Sequence, residues 1–351
     1  MYVSLKGVIS DFYGNAGPAT ALEELARSQR IPQTILLDGP FGVGKATLAR
    51  RFAAALLGGA DRIEKDDLSS PENQAIVADR EKWPAEKRND DPLLFSSHMD
   101  FVTFAPDGPL RQISIQQMRS LKERAQFKPL RGRWRVFLID HIDRANEQAA
   151  NSLLKVLEEP PSHLIVFLTA ENAYDLLPTI RSRSVPFRLA PLSEEDMRAF
   201  LSGRKLDHAE RRLTLAAGSP GAAVSMDLEA YDKRRAAMLR LLQVGAGQAS
   251  FAEWTRYSES ISARKTEKLD YYLEVLYVLL EDLLLIQQGA AGVRNLDAKG
   301  DLEAVARGVS FEWVRQALRK VDELTELLRR NIQKSIALDA FALELRAIAS
   351  R

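Results

Sequence analysis

Two regimes of hydrophobic patterning divide this chain. Over the first ~190 residues, short wholly apolar runs alternate with longer stretches whose apolar residues recur every three or four positions. The runs Thr34–Leu37, Asp100–Phe104, Val136–Ile139, Leu164–Leu168 and Val185–Leu189 read as strands, most of them without a polar face. Between them, Lys45–Leu57 places apolar residues at 48, 49, 52, 53, 56 and 57, the stripe of an amphipathic helix. Ile113–Phe127 does the same through Ile115, Met118, Leu121 and Ala125, and Ala145–Glu158 forms a third helix stopped by Pro160-Pro161. Strands alternating with helices predict a parallel α/β sheet. Residues 58–98 break the pattern: they are charge-dense, hold Pro71, Pro84 and Pro92, and are expected as an excursion outside the sheet.

From Pro191 onward the period is helical almost to the end, with breaks at Gly218-Ser219-Pro220-Gly221 and near Gly245-Ala246-Gly247. The expected domains are therefore an α/β domain over 1–190, a small helical domain over 191–243 and a larger helical domain over 244–351. A length of 351 residues, 46% apolar and 28% charged content suit a multi-domain globular protein. Its net charge of +1 argues against a generally basic nucleic-acid binder. The absence of cysteine removes disulfides, thiolate catalysis and Cys-based zinc sites, and fits a reducing cytoplasm. Met1–Lys6 lacks the layout of a signal peptide. The greasiest segment, Val275–Ile286, includes Glu281 and Asp282, so a core helix and no membrane partner are expected.

Chemistry concentrates after the first strand. Gly39-Pro40-Phe41-Gly42-Val43-Gly44-Lys45-Ala46 fits the phosphate-loop pattern G-x-x-x-x-G-K-[ST] everywhere but the last position. Strand, glycine loop and helix place backbone N–H groups and a helix N-terminus where phosphate binds, and Lys45 adds a charge. The missing hydroxyl is the group that grips Mg²⁺, and Ala46 has none. The candidate nucleotide contacts are Gly39, Gly42, Gly44, Lys45, Ala46 and Thr47. Asp140, at the end of the Val136–Ile139 strand, is the counterpart acid of such sites. His141 stands where hydrolysing members use an acidic residue to polarise water. Lys128, Arg131, Arg133 and Arg135 form a local basic cluster that reads equally as a DNA-facing loop or a solvated one.

Three further stretches carry a family resemblance. Leu138–Asp143, then Asn151–Pro161 with its Leu153-Leu154-Lys155-Val156-Leu157-Glu158-Glu159-Pro160-Pro161 run, then Thr179–Ser184, resemble bacterial sliding-clamp loader subunits of the AAA+ superfamily over about 1–230. The resemblance implies an AAA+ domain, a helical lid and an all-helical collar; Asn331–Asp339 is weakly similar to the last collar helix. Ala46, His141 and Gly221, which stands where a motor has a phosphate-sensing Arg, resemble the non-hydrolysing delta-prime type. By the same resemblance Arg183 is an arginine finger acting in trans on a neighbour's ATP, and Ser184 replaces the family's usual Cys. The implied partners are tau/gamma-type ATPase and delta subunits and, through the complex, the sliding clamp and primer-template DNA of DNA polymerase III. ATP would be weakly held or not hydrolysed, with no bound metal. The four-Cys zinc module of many relatives cannot form here, and His98 alone does not replace it. Thr169 is the candidate for the sensor-1 position. The alternative is a self-sufficient tau/gamma-type motor, which would need Thr47 to replace Ala46 and His141 or Asp143 to do the acidic residue's work. A P-loop kinase would leave the Arg183 box and the helical tail unexplained.

Overall fold

The computed structural model describes residues 12–263, 269–328 and 333–349. Met1–Lys6, and Asn331 and Ile332 of the collar-helix resemblance, lie outside the described residues. Two compact units are present. Among the described residues, one comprises residues 12–209 together with Gly218–Ser225, and the other Glu210–Ala217 together with those from Met226 onward.

The first unit opens with α1 (Ala16–Arg27), β1 (Thr34–Asp38) and α2 (Lys45–Leu57). Next come α3 (Ala60–Ile63), α4 (Pro71–Arg80), α5 (Ala85–Asp90), β2 (Leu94–Phe95), β3 (Phe101–Phe104) and α6 (Ile115–Ala125). β4 (Arg135–Ile139), α7 (Glu147–Glu158), β5 (Leu164–Ala170), α8 (Pro178–Arg181), β6 (Val185–Arg188) and α9 (Glu194–Arg204) follow. The strand order is β2-β3-β4-β5-β1-β6. Every pairing is parallel except the short antiparallel edge β2/β3. This is the expected α/β fold.

The lack of a polar face on the central strands has a direct cause, because both faces are covered. Ile35, Leu37, Val136, Leu138, Ile165 and Phe167 pack with Leu22 of α1 and Leu48 and Phe52 of α2. Leu36, Phe137, Ile139, Val166 and Leu168 pack with Met118 and Leu121 of α6 and Leu153 of α7. Each such buried side chain contributes roughly 1.5–3 kcal/mol.

Capping sets the helix starts later than periodicity alone suggests. Ser114 caps α6 in a capping box with Gln117, and Asn146 caps α7 by accepting from the N–H of Ala149 at 2.8 Å. An Asx or Ser side chain that satisfies a free N–H outcompetes one further turn of helix.

The 58–98 stretch differs from expectation. It folds, and its last part joins the sheet as edge strand β2. Polar anchors work here beside a small apolar cluster of Val77, Leu93 and Phe95 with Ala105, whose wide and irregular spacing leaves no periodic stripe, which is why the pattern hid it. Arg80 bonds both carboxylate oxygens of the buried Asp107, at 3.1 and 2.8 Å. Asp66, fully buried, accepts the N–H of Ser97 at 3.0 Å, and Asn73 donates to the carbonyls of Lys65 and Asp67. Burial raises the Asp66 pKa first, with the Ser97 hydrogen bonds opposing it. The basic cluster also loses a member. Arg135 lies in β4, is only 8% exposed and donates to the carbonyl of Phe127, and burial lowers its pKa. The loop between α6 and β4 is held by Asp100, whose carboxylate accepts the N–H groups of Leu130 and Arg131 at 2.8 and 3.0 Å.

After α9 come α10 (Ala209–Ala216) and α11 (Pro220–Ser225), the latter in the first unit. The second unit continues with α12 (Leu228–Gly245), α13 (Phe251–Ala263), α14 (Asp270–Gln287), α15 (Lys299–Gly308), α16 (Phe311–Leu328) and α17 (Lys334–Ala349). One core joins them, including Leu241, Trp254, Leu276, Leu280, Trp313 and Leu345. The apolar Val275–Ile286 segment is the centre of α14. Its Asp282 is buried, accepting from the N–H groups of Arg294 and Asn295 at 2.7 and 3.0 Å. Among the described residues no helix is long and apolar enough to cross a membrane.

Candidate functional site

β1 delivers the chain to the glycine loop, and α2 begins at Lys45. Gly39, Gly42 and Gly44 adopt φ of +145°, +73° and +99°, values only glycine takes without strain. Lys45 is 6% exposed and turns back on its own loop, donating to the carbonyls of Gly39 at 2.6 Å and Pro40 at 2.7 Å. Glu171, Asp140, Asp143 and Asp38 lie within electrostatic reach of it. With Arg188 acting on Asp38 as a second cation, four carboxylates still outnumber the positive groups, which opposes a polyphosphate that arrives without a metal.

Burial pushes the Lys45 ammonium below its ordinary pKa, more than those four carboxylates restore it. The folded chain therefore releases this proton at lower pH than the unfolded chain. The stability contributed by Lys45 rises with pH between its lowered pKa and the ordinary lysine value of 10.5. Replacing Lys45 by Met should remove that rise. Urea unfolding of both chains from about pH 8 to 10.5 should show the wild-type advantage growing with pH. A difference that stays flat rejects this assignment.

Ala46 supplies no oxygen at the position where a metal-gripping hydroxyl would stand. Thr47 does not compensate. Its hydroxyl is 3.5 Å from the Arg50 guanidinium, which is paired with Glu64 and Asp67 of the 58–98 stretch. At the neighbouring strand ends, Thr169 donates to Asp140 Oδ1 at 2.5 Å and accepts the N–H of His141 at 2.8 Å. Parallel register explains the meeting, since Ile139 of β4 pairs with Leu168 of β5. Asp140 and Thr169 are thus brought together beside Lys45. His141 takes a left-handed conformation, φ 55°, and its ring stacks on Phe41 with centroids 6.5 Å apart. The residues around the loop do not fit magnesium-assisted hydrolysis: one ligand hydroxyl and one acid are missing, and Asp140 is hydrogen-bonded to Thr169.

Arg183 stands apart from this group. It follows the short helix α8, whose first residue is Pro178, and its guanidinium is one-third exposed. It donates to the carbonyl of Thr179 at 3.0 Å and to Glu158 Oε1 at 2.8 Å. Ser184, in the place of the family's Cys, donates to the carbonyl of Ile180 at 2.8 Å. Several residues at these places were not legible beforehand. Asp38 and Glu171 flank Lys45 through strand ends, Glu158 holds Arg183, and Ser219 donates to the carbonyl of Phe41 at 3.0 Å. Glu158 and Ser219 stand in stretches the sequence marks, and Asp38 stands directly before the loop, but no local spacing gives their partners.

A six-stranded, mostly parallel sheet with a phosphate-type loop after β1, followed by a helical region, defines a P-loop α/β protein of the AAA+ type. The family described as DNA polymerase III, delta subunit, matches residues 15–193. The chain belongs to this family of bacterial clamp-loader subunits. It is 30% identical to the DNA polymerase III subunit delta' of Escherichia coli over 235 residues, which cover 66% of this chain and 69% of that one. It is 31% identical to the DNA polymerase III subunit gamma of Buchnera aphidicola over 192 residues, 54% of this chain and 47% of that one. The match thus spans about half of the gamma relative. Among solved structures, a DNA polymerase III gamma subunit-related protein of Thermotoga maritima aligns with 93% of this chain and 99% of its own, at 18% identity and a TM-score of 0.44.

Proposed function

We propose that this chain is a delta-prime-type clamp-loader subunit, a ring member that does not hydrolyse ATP and lends Arg183 to the ATP site of a neighbouring tau/gamma-type motor. One contrast carries the reading. The loop and the end of β4 lack the metal hydroxyl and the water-polarising acid, at Ala46 and His141, whereas Arg183 stands at the surface, away from the chain's own loop. A guanidinium so placed can stabilise charge on a γ-phosphoryl group in another subunit, and it signals to that site that the two are docked. Residues 191–243 would be the lid and 244–351 the collar that holds the ring. The partners would be tau/gamma-type and delta-type subunits in the cytoplasm. Through them the chain would help place a sliding clamp on primed DNA.

The 31% identity to a gamma subunit keeps a motor of the tau/gamma type as the rival. Steady-state ATPase of the isolated full chain with primed DNA separates the two. The expected rate equals that of a Lys45→Met control. Turnover on the order of 1 s⁻¹ or faster, dependent on Lys45, rejects the non-hydrolysing reading. Co-purification from its own cells should bring down tau/gamma-type and delta-type chains.

A further inference from the structure

Four consecutive carbonyl oxygens of the glycine loop each accept a hydrogen bond from this chain's own donors. Lys45 Nζ serves Gly39 at 2.6 Å and Pro40 at 2.7 Å from inside the loop. From outside, Ser219 Oγ donates to Phe41 O at 3.0 Å and the Gly221 N–H donates to Gly42 O at 2.8 Å. The outer pair arrives backbone against backbone. A Cβ on Gly221 would lie 2.8 Å from Gly42 Cα and 3.0 Å from its carbonyl oxygen. A Cβ on Gly42 would lie 2.3 Å from Ser219 Oγ and 3.0 Å from the Ala222 nitrogen. No side chain fits at either place, an arginine at 221 least of all. The segment is itself tied down, because the carbonyl of Gly218 accepts the N–H of Leu192 at 2.8 Å and Ser219 Oγ accepts that of Ala222 at 3.1 Å.

We propose that Ser219 and Gly221 form a clasp that keeps the loop and Lys45 in a closed arrangement, so that a nucleoside triphosphate reaches the loop only when the clasp opens. To hold a phosphate, Lys45 must leave the carbonyls of Gly39 and Pro40, and the loop must reshape around the anion. With Phe41 and Gly42 tied from outside, that reshaping breaks two hydrogen bonds before any are gained. A ligand that binds only an opened minority of molecules shows an affinity reduced by that fraction. Loss of one such hydrogen bond is worth about two- to tenfold in affinity. The clasp concerns only this chain's own loop, and it stands or falls independently of the role given to Arg183.

Calorimetric titration of the full chain with ATP tests it. Ser219→Ala removes one hydrogen bond and should bind ATP about two- to tenfold more tightly than wild type. Gly221→Ala wedges the segment off the loop and should gain at least about tenfold, both hydrogen bonds being lost. Adding Lys45→Met to Ser219→Ala should abolish the gain, which places the binding at the loop. Amide exchange at Gly221, protected in wild type, should speed up in Ser219→Ala. If Gly221→Ala fails to fold, Ser219→Ala decides alone. Affinities equal to or weaker than wild type overturn the clasp, as does a lack of ATP binding by every chain.

Discussion

Arg183→Ala should slow hydrolysis at the ATP site of the proposed neighbouring subunit by a factor on the order of 10³ while leaving this chain folded and able to assemble. The two halves of that expectation have different causes. The guanidinium is one-third exposed and its ionic partner, Glu158, about half exposed, so the pair is screened by water and worth only about 0.2–1 kcal/mol. The fold hardly registers its loss. An arginine finger acts where charge develops on the transferring phosphoryl group, and no solvent molecule replaces it there. The measurement is ATP turnover in the reconstituted complex, with the other motor sites silenced at their own loop lysines. Arg183→Lys should not rescue it, because an ammonium lacks the planar fork of the guanidinium. An unchanged rate, with assembly shown intact by gel filtration, rejects the finger.

Arg80→Ala should cost the sheet unit about 3–5 kcal/mol. The Arg80 side chain is 5% exposed and its partner Asp107 is 7% exposed. Burial by itself would lower the Arg80 pKa, but the hydrogen bonds and charges of Asp107 and Asp91 outweigh it and raise it. Removing the cation strands a carboxylate out of water, to which the N–H of Gly108 still donates at 2.7 Å. The same guanidinium bonds the carbonyl of Asp91, so one side chain ties α4, the approach to β2 and the β3–α6 connection. Urea unfolding of the sheet unit reads the loss, and limited proteolysis should cut first within residues 58–98. Replacing both partners with apolar residues, Arg80→Met with Asp107→Leu, should recover most of it, because no lone charge then remains. A loss under about 1 kcal/mol for Arg80→Ala shows that the anchor is elsewhere.

How far the fold can be read ahead depends on which force holds each part. Strands β1, β4 and β5 announce themselves because both their faces are covered, so their central positions, Ile35–Leu37, Val136–Ile139 and Leu164–Leu168, are all apolar. The 58–98 stretch is held by Arg80, Asp66 and Asn73 together with a few widely spaced apolar residues, Val77, Leu93 and Phe95, and neither leaves a periodic mark. Arg135 shows the same limit from the other side. Its neighbours Lys128, Arg131 and Arg133 make it look like part of a surface cluster, yet it lies in a buried strand.

Composition and local spacing were enough for the α/β class, the helical second half, the phosphate-type loop with its missing hydroxyl, and Asp140 at a strand end. Those features depend on residues close together in the chain, where the periods of helix and strand and the chemistry of a short motif operate. Other features depend on residues far apart in the chain. The register of β4 on β5 sets Thr169 on Asp140, and the end of α7 brings Glu158 to Arg183. Gly221 meets Gly42 across a separation that no local pattern encodes, because two glycines approach through backbone alone. Lys45 marks the boundary. Its place in the motif was legible from eight residues, but its engagement with its own loop follows from burial and from hydrogen bonds that form only when the chain has folded.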